Sequence, residues 1–132
     1  MKLYICAFVV VSIVLGAHIF GLKGLYIDIP TYDIMMHMIG GVGIALFLSA
    51  LFQSYKTGEF FSAKNIVVGV FIIGIIWEYF EIHFGLLGHP LWSKLYYIDT
   101  VADIINDIIG GSIVAYVVTR KNRKLVLEKQ VI

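Results

Sequence analysis

The sequence has little of what a disulfide-bonded fold or a soluble surface requires. Its 132 residues include one cysteine, Cys6, so no internal disulfide can form. No Cys-x-x-Cys motif occurs, which excludes a thiol redox centre and a zinc site built on thiolates. Charged residues make up only 14% of the chain and hydrophobic residues 60%, whereas soluble domains carry about 25% charged residues. The composition therefore predicts an integral membrane protein, and the length allows a single domain over residues 1–132.

Long apolar runs are what the sequence has instead. Four stretches are each long enough, at about 20 residues, to cross a bilayer as a helix. They cover residues 3–20, 34–52, 65–84 and 100–119, and a basic tail follows at 120–132. Prolines occur only twice, and Pro30 and Pro90 both fall in connectors. The sequence therefore predicts an all-α membrane protein, a bundle of four transmembrane helices.

The distribution of lysine and arginine predicts the orientation of this bundle. With the N-terminus in the cytoplasm, the inner segments hold Lys2, Lys56, Lys64, Arg120, Lys121, Arg123, Lys124 and Lys129. The outer connectors hold only Lys23 and Lys94. Both termini are therefore predicted to be cytoplasmic. For the first apolar run a cleaved signal peptide is the alternative, since Lys2 precedes a short apolar segment that ends in small residues.

The two ends of the predicted bundle differ in chemistry. Most of the acidic residues fall on the outer side, namely Asp28, Asp33, Glu78, Glu81, Asp99, Asp103 and Asp107. All four histidines, His18, His37, His83 and His89, also lie there. The net charge of the chain is only +1, which gives no reason to expect nucleic acid as a partner. A polar site is therefore expected at the outer end.

Helical spacing places several of these groups on common faces. The polar stripes are Asp33, His37 and Gly40 in the second span, Gly74, Glu78 and Glu81 in the third, and Asp99, Asp103, Asn106, Asp107 and Gly110 in the fourth. The glycines in these stripes would let membrane helices approach closely. At 1.5 Å per residue, the titratable groups of these stripes lie within roughly 11 Å of the outer helix ends, where His18 of the first span could join them. We therefore expect one shallow polar layer.

The carboxylates of this layer lack a basic partner, because no lysine or arginine lies in the outer halves of the spans. Two carboxylates about 6 Å apart repel by roughly 3 kcal/mol at an effective dielectric constant near 20. Either some carboxylates keep their protons or a cation binds among them. Oxygen ligands with imidazole suit a divalent metal ion. The expected ligands are His37, Asp103 and Asp107, with Glu78 as general base on a bound water.

Simpler structural interpretations exist for several of these residues. A helix N-cap accounts for Asp33 and for Asp99. Hydrogen bonds between helices account for Asp103 and Asn106. At the outer interface, Glu81 fits a carboxylate that faces water, and His18 fits an interfacial histidine. The aromatic residues interpreted as the interfacial belt are Trp77, Trp92, Tyr96 and Tyr97.

The polar positions resemble those of a known family. They stand in Tyr32-Asp33-x3-His37-x2-Gly40, Trp77-Glu78 and Asp99-Thr100-x2-Asp103-x3-Asp107-x2-Gly110-Gly111. Over residues 32–116 these stretches resemble the YjdF-like family of small bacterial and archaeal inner-membrane proteins. They more distantly resemble the VanZ-like family, known for a role in glycopeptide (teicoplanin) resistance. The resemblance implies a prokaryotic cytoplasmic membrane and supports the site residues Asp33, His37, Glu78, Asp103 and Asp107, but it implies no particular reaction.

Three kinds of function fit the pattern. The first is a polar, metal-binding site near the outer leaflet that binds a lipid head group or performs metal-assisted hydrolysis or transfer on an amphiphilic substrate. The second is a non-enzymatic cation or proton pathway, or a lipid-binding module. Because the cytoplasmic halves of the spans lack ionisable residues, a homo-oligomer would be needed to complete such a pathway. The third is a polar layer that only locks the helices together.

Overall fold

The structure is a computed structural model that describes residues 2–29, 31–54, 61–86 and 88–130, with side chains as far as Arg123. All regular secondary structure in these residues is helical. The elements are α1 (Lys2–Phe20), a π-helical segment (Gly21–Leu25), α2 (Tyr26–Asp28), α3 (Tyr32–Ser54), α4 (Ala63–Phe84) and α5 (Lys94–Gln130). The all-α class predicted from the sequence is confirmed.

Four of the described helical stretches are long and apolar enough to cross a membrane: Lys2–Asp28, Tyr32–Ser54, Ala63–Phe84 and Lys94–Arg123. The four predicted spans are therefore confirmed. Four crossings place the two ends of the bundled chain on the same side of the membrane, and the assignment of that side to the cytoplasm stays a prediction. Of the basic residues counted for it, Lys56 lies outside the described residues, and the side chains of Lys124 and Lys129 are not described either.

The last helix begins earlier than predicted, and this removes the capping role considered for Asp99. α5 begins at Lys94, after Ser93, whose Oγ accepts a hydrogen bond from the backbone N–H of Tyr96 at 3.1 Å. Hydropathy marks where a chain enters the membrane, whereas a capping side chain marks where its helix begins. The helix also continues to Gln130, so most of the predicted basic tail is helical.

The capping role considered for Asp33 is also wrong, because α3 already begins at Tyr32. The connector that precedes it is partly helical too, since the chain passes from α1 into the π-helical segment, where two helical stretches meet at a kink. That segment bends at Gly24, whose φ of 136° is readily adopted only without a Cβ. The bend brings the Tyr26 hydroxyl within 2.8 Å of His18 Nδ1. The first connector thereby folds over the end of the bundle that holds Asp33.

α3 and α5 form the central pair of the bundle. α3 also packs against α1 and α4, and α5 packs against α4. Glycines bring the central pair together, because a Cβ at Gly41 would clash with the carbonyl group of Asp107, and one at Gly110 with the carbonyl group of Met38. Small residues at such positions let membrane helices pack backbone to backbone. The polar residues of α3 and α5 are therefore held side by side.

The bundle has two ends of different character. The end that contains Asp33 and Glu81, called the acidic end below, holds the polar residues. Toward the opposite end the interior is an apolar core formed by Ala45, Leu48, Ile66, Val70, Val114 and Ala115. Among the described residues, the buried titratable side chains thus lie in one half of the bundle, as the sequence pattern predicts.

Candidate functional site

His37 lies at the centre of a cluster of carboxylates contributed by α3 and α5. Its Nε2 lies 3.7 Å from Asp33 Oδ1 and 3.9 Å from Asp103 Oδ1, and its Nδ1 lies 3.5 Å from Asp107 Oδ2. The side chains of His37, Asp103 and Asp107 are buried. Asp33 and His37 are one helical turn apart, as are Asp103 and Asp107, so two pairs face each other across the helix interface. We call these four residues the His37 cluster.

Carboxylates face both ring nitrogens of His37. A neutral imidazole has one N–H and can donate to one side only, whereas the imidazolium ion donates to both. Within the described part of the chain, no lysine or arginine forms an ion pair with the cluster. The negative charge of its carboxylates must therefore be balanced by His37, by protons or by a bound cation.

Two glycines enclose the carboxylate of Asp107. A Cβ at Gly74 of α4 would lie 2.9 Å from Asp107 Oδ2, closer than van der Waals contact allows, and one at Gly40 would lie 3.7 Å from Oδ1. The space that these glycines leave is the space that the carboxylate occupies. Three helices thereby hold Asp107 against Nδ1 of His37.

Glu78 joins the cluster from α4 and is only 6% exposed. Its Oε1 has no hydrogen-bond partner among the described residues. A buried polar atom without a partner is uncommon in a folded protein and indicates a missing ion, water or ligand. Glu78 therefore presents a buried oxygen that could accept a hydrogen bond or contact a ligand inside the bundle.

Two sets of side chains have the spacing of metal ligands. One ligand atom each from Asp33, His37 and Asp103 lie within 4.8 Å of one another, and so do those of His37, Glu78 and Glu81. Atoms at such separations can share one ion, because metal–ligand distances are roughly 2.0–2.6 Å. His37 belongs to both sets, which places Glu78 and Glu81 next to the His37 cluster.

The acidic residues border a cavity of about 600 Å³ at the acidic end of the bundle. Its carboxylate lining consists of Asp33, Glu78, Glu81, Asp99 and Asp103. The bent connector closes one wall of this polar cavity with Gly24 and Tyr26. The carboxylates that the sequence pattern selects on three separate spans therefore line one common cavity.

Comparison with known proteins assigns the family. A family model described as "Predicted membrane protein (DUF2238)" matches residues 1–124. The chain belongs to the DUF2238 family. No curated protein and no solved structure matches it. Membership of DUF2238 agrees with the membrane-spanning fold, and the finer resemblances to the YjdF-like and VanZ-like families stay predictions.

Three of the remaining residues selected from the sequence lie near the His37 cluster of this DUF2238 chain, namely His18, Glu81 and Asp99. Glu81 is half-buried and accepts a hydrogen bond from Trp77 Nε1 at 2.9 Å, so it is not merely a carboxylate at the water surface. His18 lines the polar cavity, where Tyr26 contacts its Nδ1. Asp99 lines the same cavity from inside α5, and Asn106 is half-buried on that helix.

Two aromatic residues interpreted as interfacial belt belong to the site instead. Trp77 is half-buried, packs edge-to-face on His18 and donates its indole N–H to Glu81. Tyr96 is 7% exposed and lines the polar cavity. Trp92 and Tyr97, in contrast, are exposed as a belt requires.

A sequence signal for these two residues existed. Trp77 precedes Glu81 by four residues, and Tyr96 precedes Asp103 by seven, so both lie on polar faces of their helices. The second relation becomes visible only when α5 begins at Lys94, because the predicted boundary at residue 100 places Tyr96 outside the helix.

Proposed function

We propose that this chain binds a divalent cation at its acidic end and uses it for hydrolysis or transfer at the head group of an amphiphilic substrate. One observation carries the proposal: the His37 cluster lies beside Glu78, whose buried Oε1 lacks a partner among the described residues. Ionisable residues inside a membrane bundle are costly and are typical of functional sites. A cation would balance the cluster, and a water bound to it would give the Oε1 of Glu78 a hydrogen-bond partner.

The geometry favours Asp33, His37 Nε2 and Asp103 as the ligands of the cation. This differs from the set expected from the sequence, which held Asp107 in place of Asp33, because Asp107 faces the opposite ring nitrogen. A histidine that binds a metal through one nitrogen usually donates its other N–H to a carboxylate. We therefore assign Asp107 to orienting the His37 ring.

Glu78 has the place of a general base. It is buried beside His37 and borders the same polar cavity as Asp33 and Asp103. A divalent cation makes a bound water more acidic, and a nearby carboxylate can then accept its proton. Glu81, hydrogen-bonded to Trp77, lies close enough to supply a further oxygen ligand.

The predicted orientation supports an amphiphilic substrate. The excess of lysine and arginine at the opposite end favours an orientation with the acidic end outside the cytoplasm. The polar cavity then lies at the depth of lipid head groups in the outer leaflet. A passage for protons or cations through one copy of the bundle is disfavoured, since the core at the opposite end is apolar.

Binding of Mn²⁺ to the purified protein, measured by isothermal titration calorimetry, tests the proposal. We expect Asp103→Asn and Asp33→Asn to weaken binding by more than the roughly 10–100-fold that loss of an orienting partner costs. Asp28→Asn is the matched control, because Asp28 is an exposed acid of the same end, and it should leave the affinity unchanged. Absence of Mn²⁺ binding, or equal affinities in Asp103→Asn and the wild type, would contradict a cation site.

The role of Glu78 as a general base is tested separately by substitution. We expect Glu78→Gln to keep Mn²⁺ binding and to lose turnover of phospholipids added in mixed micelles, because glutamine cannot accept the proton. Turnover that survives Glu78→Gln would remove Glu78 from the mechanism. Mn²⁺ binding without turnover in the wild type would leave a lipid-binding or cation-binding module, the alternative expected from the sequence.

A further inference from the structure

A second cavity, of about 200 Å³, lies on the other side of His37 from the polar cavity. It is enclosed by α1, α3 and α4, where Val14, Ile44 and Ile73 form apolar walls. Polar groups occur at one end of it only, where His18, His37 and Asp107 contribute to the lining. We call it the apolar cavity.

The apolar cavity is elongated along the helices. His18 and Val11 mark its extent on α1, and His37 and Ile44 on α3, and each pair is seven residues apart. At a rise of 1.5 Å per residue, the cavity extends about 10 Å from the histidines toward the middle of the bundle. The apolar cavity is therefore narrow and has polar groups at one end.

The two cavities lie next to each other at the histidines. His18 lines both of them. His37 separates them, since its Nδ1 faces Asp107 at the apolar cavity and its Nε2 faces Asp33 and Asp103 at the polar cavity. A ligand with a polar head and an apolar chain would place each part in the matching cavity.

The apolar cavity borders the lipid-facing surface between α1 and α4. These two helices touch at the acidic end, where His18 and Trp77 pack edge-to-face at 5.4 Å. The side chains of Val11 and Leu15 line the cavity and are also exposed, by 38% and 53%. In a membrane-spanning bundle that surface faces hydrocarbon, so lipid chains can enter from the side.

We propose that the apolar cavity binds part of an acyl chain of a phospholipid whose phosphate group reaches the cation in the polar cavity. An apolar cavity of this size excludes water and takes hydrocarbon, as one of about 150 Å³ takes benzene. The unpartnered Oε1 of buried Glu78 indicates a ligand on the polar side independently. The head-group part rests on the proposed function, since without a cation the carboxylates would repel a phosphate.

Quenching of Trp77 fluorescence by brominated acyl chains tests this proposal, because Trp77 lines the apolar cavity. The chain contains two tryptophans, so Trp92→Phe leaves Trp77 as the single emitter. The full chain is reconstituted in vesicles that contain dibrominated phosphatidylglycerol. Val14→Phe and Ile73→Phe fill the cavity from two different helices. Ile13→Phe and Ile72→Phe are the matched controls. Ile13 and Ile72 precede the two cavity residues in the chain, and their side chains are exposed by 60% and 50%.

We expect brominated chains to quench Trp77 and the two filling substitutions to remove most of that quenching, while the controls keep it. Brominated diacylglycerol with the same chains lacks the phosphate and should quench Trp77 less than the phospholipid does. Adding Mg²⁺ should increase quenching by the phospholipid and leave quenching by the diacylglycerol unchanged. Equal quenching in Val14→Phe and Ile13→Phe would overturn the proposal. So would equal quenching by the two lipids in the presence of Mg²⁺.

Mn²⁺ titration of the same variants separates this inference from the proposed function. Val14→Phe should bind Mn²⁺ as the wild type does, which also shows that it folds. Mn²⁺ binding together with an unaltered quenching pattern in the filled variants defeats only the acyl-chain site. Loss of quenching in those variants without any Mn²⁺ binding defeats the cation and the head-group contact and leaves a chain-binding cavity.

Discussion

His37 is the residue on which the candidate site depends. Its burial between two carboxylate-bearing faces fixes the ring, and each nitrogen has a different environment. Residue type alone made Asp103 and Asp107 equivalent, because both are aspartates one turn apart on the same helix. Their positions relative to the imidazole separate them. Asp103 faces Nε2 with Asp33, and Asp107 faces Nδ1 in a space left by two glycines.

The orienting role assigned to Asp107 predicts the effect of its substitution on Mn²⁺ affinity. Asp107→Asn keeps the size of the side chain and removes the charge that holds the His37 ring. We expect the affinity for Mn²⁺ to fall by about 10–100-fold in calorimetry, less than for Asp103→Asn. Asp99→Asn is the control, since Asp99 lines the polar cavity without belonging to the His37 cluster. A loss as large as that of Asp103→Asn would make Asp107 a ligand itself.

Among the helices, the pairing of α3 with α5 determines where the candidate site forms. Gly41 and Gly110 allow these helices to approach so closely that backbone atoms meet across the interface. The same approach brings the pair Asp33 and His37 opposite the pair Asp103 and Asp107. α4 adds Glu78 and Glu81 through its contact with α5. α1 packs mainly against α3, and that arrangement leaves the apolar cavity beside α4.

Gly110→Ala should disturb both the packing and the site. Its added Cβ would meet the backbone of Met38 and Val42, which cannot move without separating the helices. Overpacking of this kind costs about 1–3 kcal/mol. We expect a lower thermal midpoint in detergent and weaker Mn²⁺ binding, because Asp103 would move away from His37.

Gly16→Ala is the control for that substitution. Gly16 lies in α1, and an added Cβ there meets no described atom within 4 Å. Helix propensity favours alanine over glycine by up to about 1 kcal/mol, so the midpoint should stay or rise. A midpoint for Gly110→Ala equal to that of Gly16→Ala would show that the central pair tolerates a wider separation.

The whole molecule is asymmetric from end to end. The acidic end holds the His37 cluster and the polar cavity, and the opposite end has an apolar core. Such a bundle offers a site to one face of the membrane only. Which face that is follows from the lysine and arginine count and not from the packing.

Labelling of single cysteines tests the orientation. In a Cys6→Ser background, cysteines replace Gly88 in the loop of the acidic end or Lys121 near the other end, and both positions are exposed. We expect a membrane-impermeant maleimide to label the cysteine at position 88 in intact cells, and the one at position 121 only after the membrane is opened. The reverse pattern would place the site at the cytoplasmic face.

The sequence by itself determined the fold class, the four spans and the identity of the polar stripes. These features depend on hydropathy and on helical periodicity, which act locally along the chain. For the same reason the boundary of α5 was placed too late. Lys94 and Asp99 lower the hydropathy of its first turns, although Ser93 caps a helix that has already begun.

Only the tertiary structure decided how the stripes meet. The rotation of each helix depends on contacts between residues far apart in the chain, such as Gly41 with Asp107. The bend at Gly24 is accompanied by the contact of His18 with Tyr26 across it. Those contacts brought Asp33 to the same nitrogen of His37 as Asp103 and turned Asp107 to the other. They also drew Trp77 and Tyr96 into the site and left the apolar cavity beside it, because side chains of one type take different roles according to what packs against them.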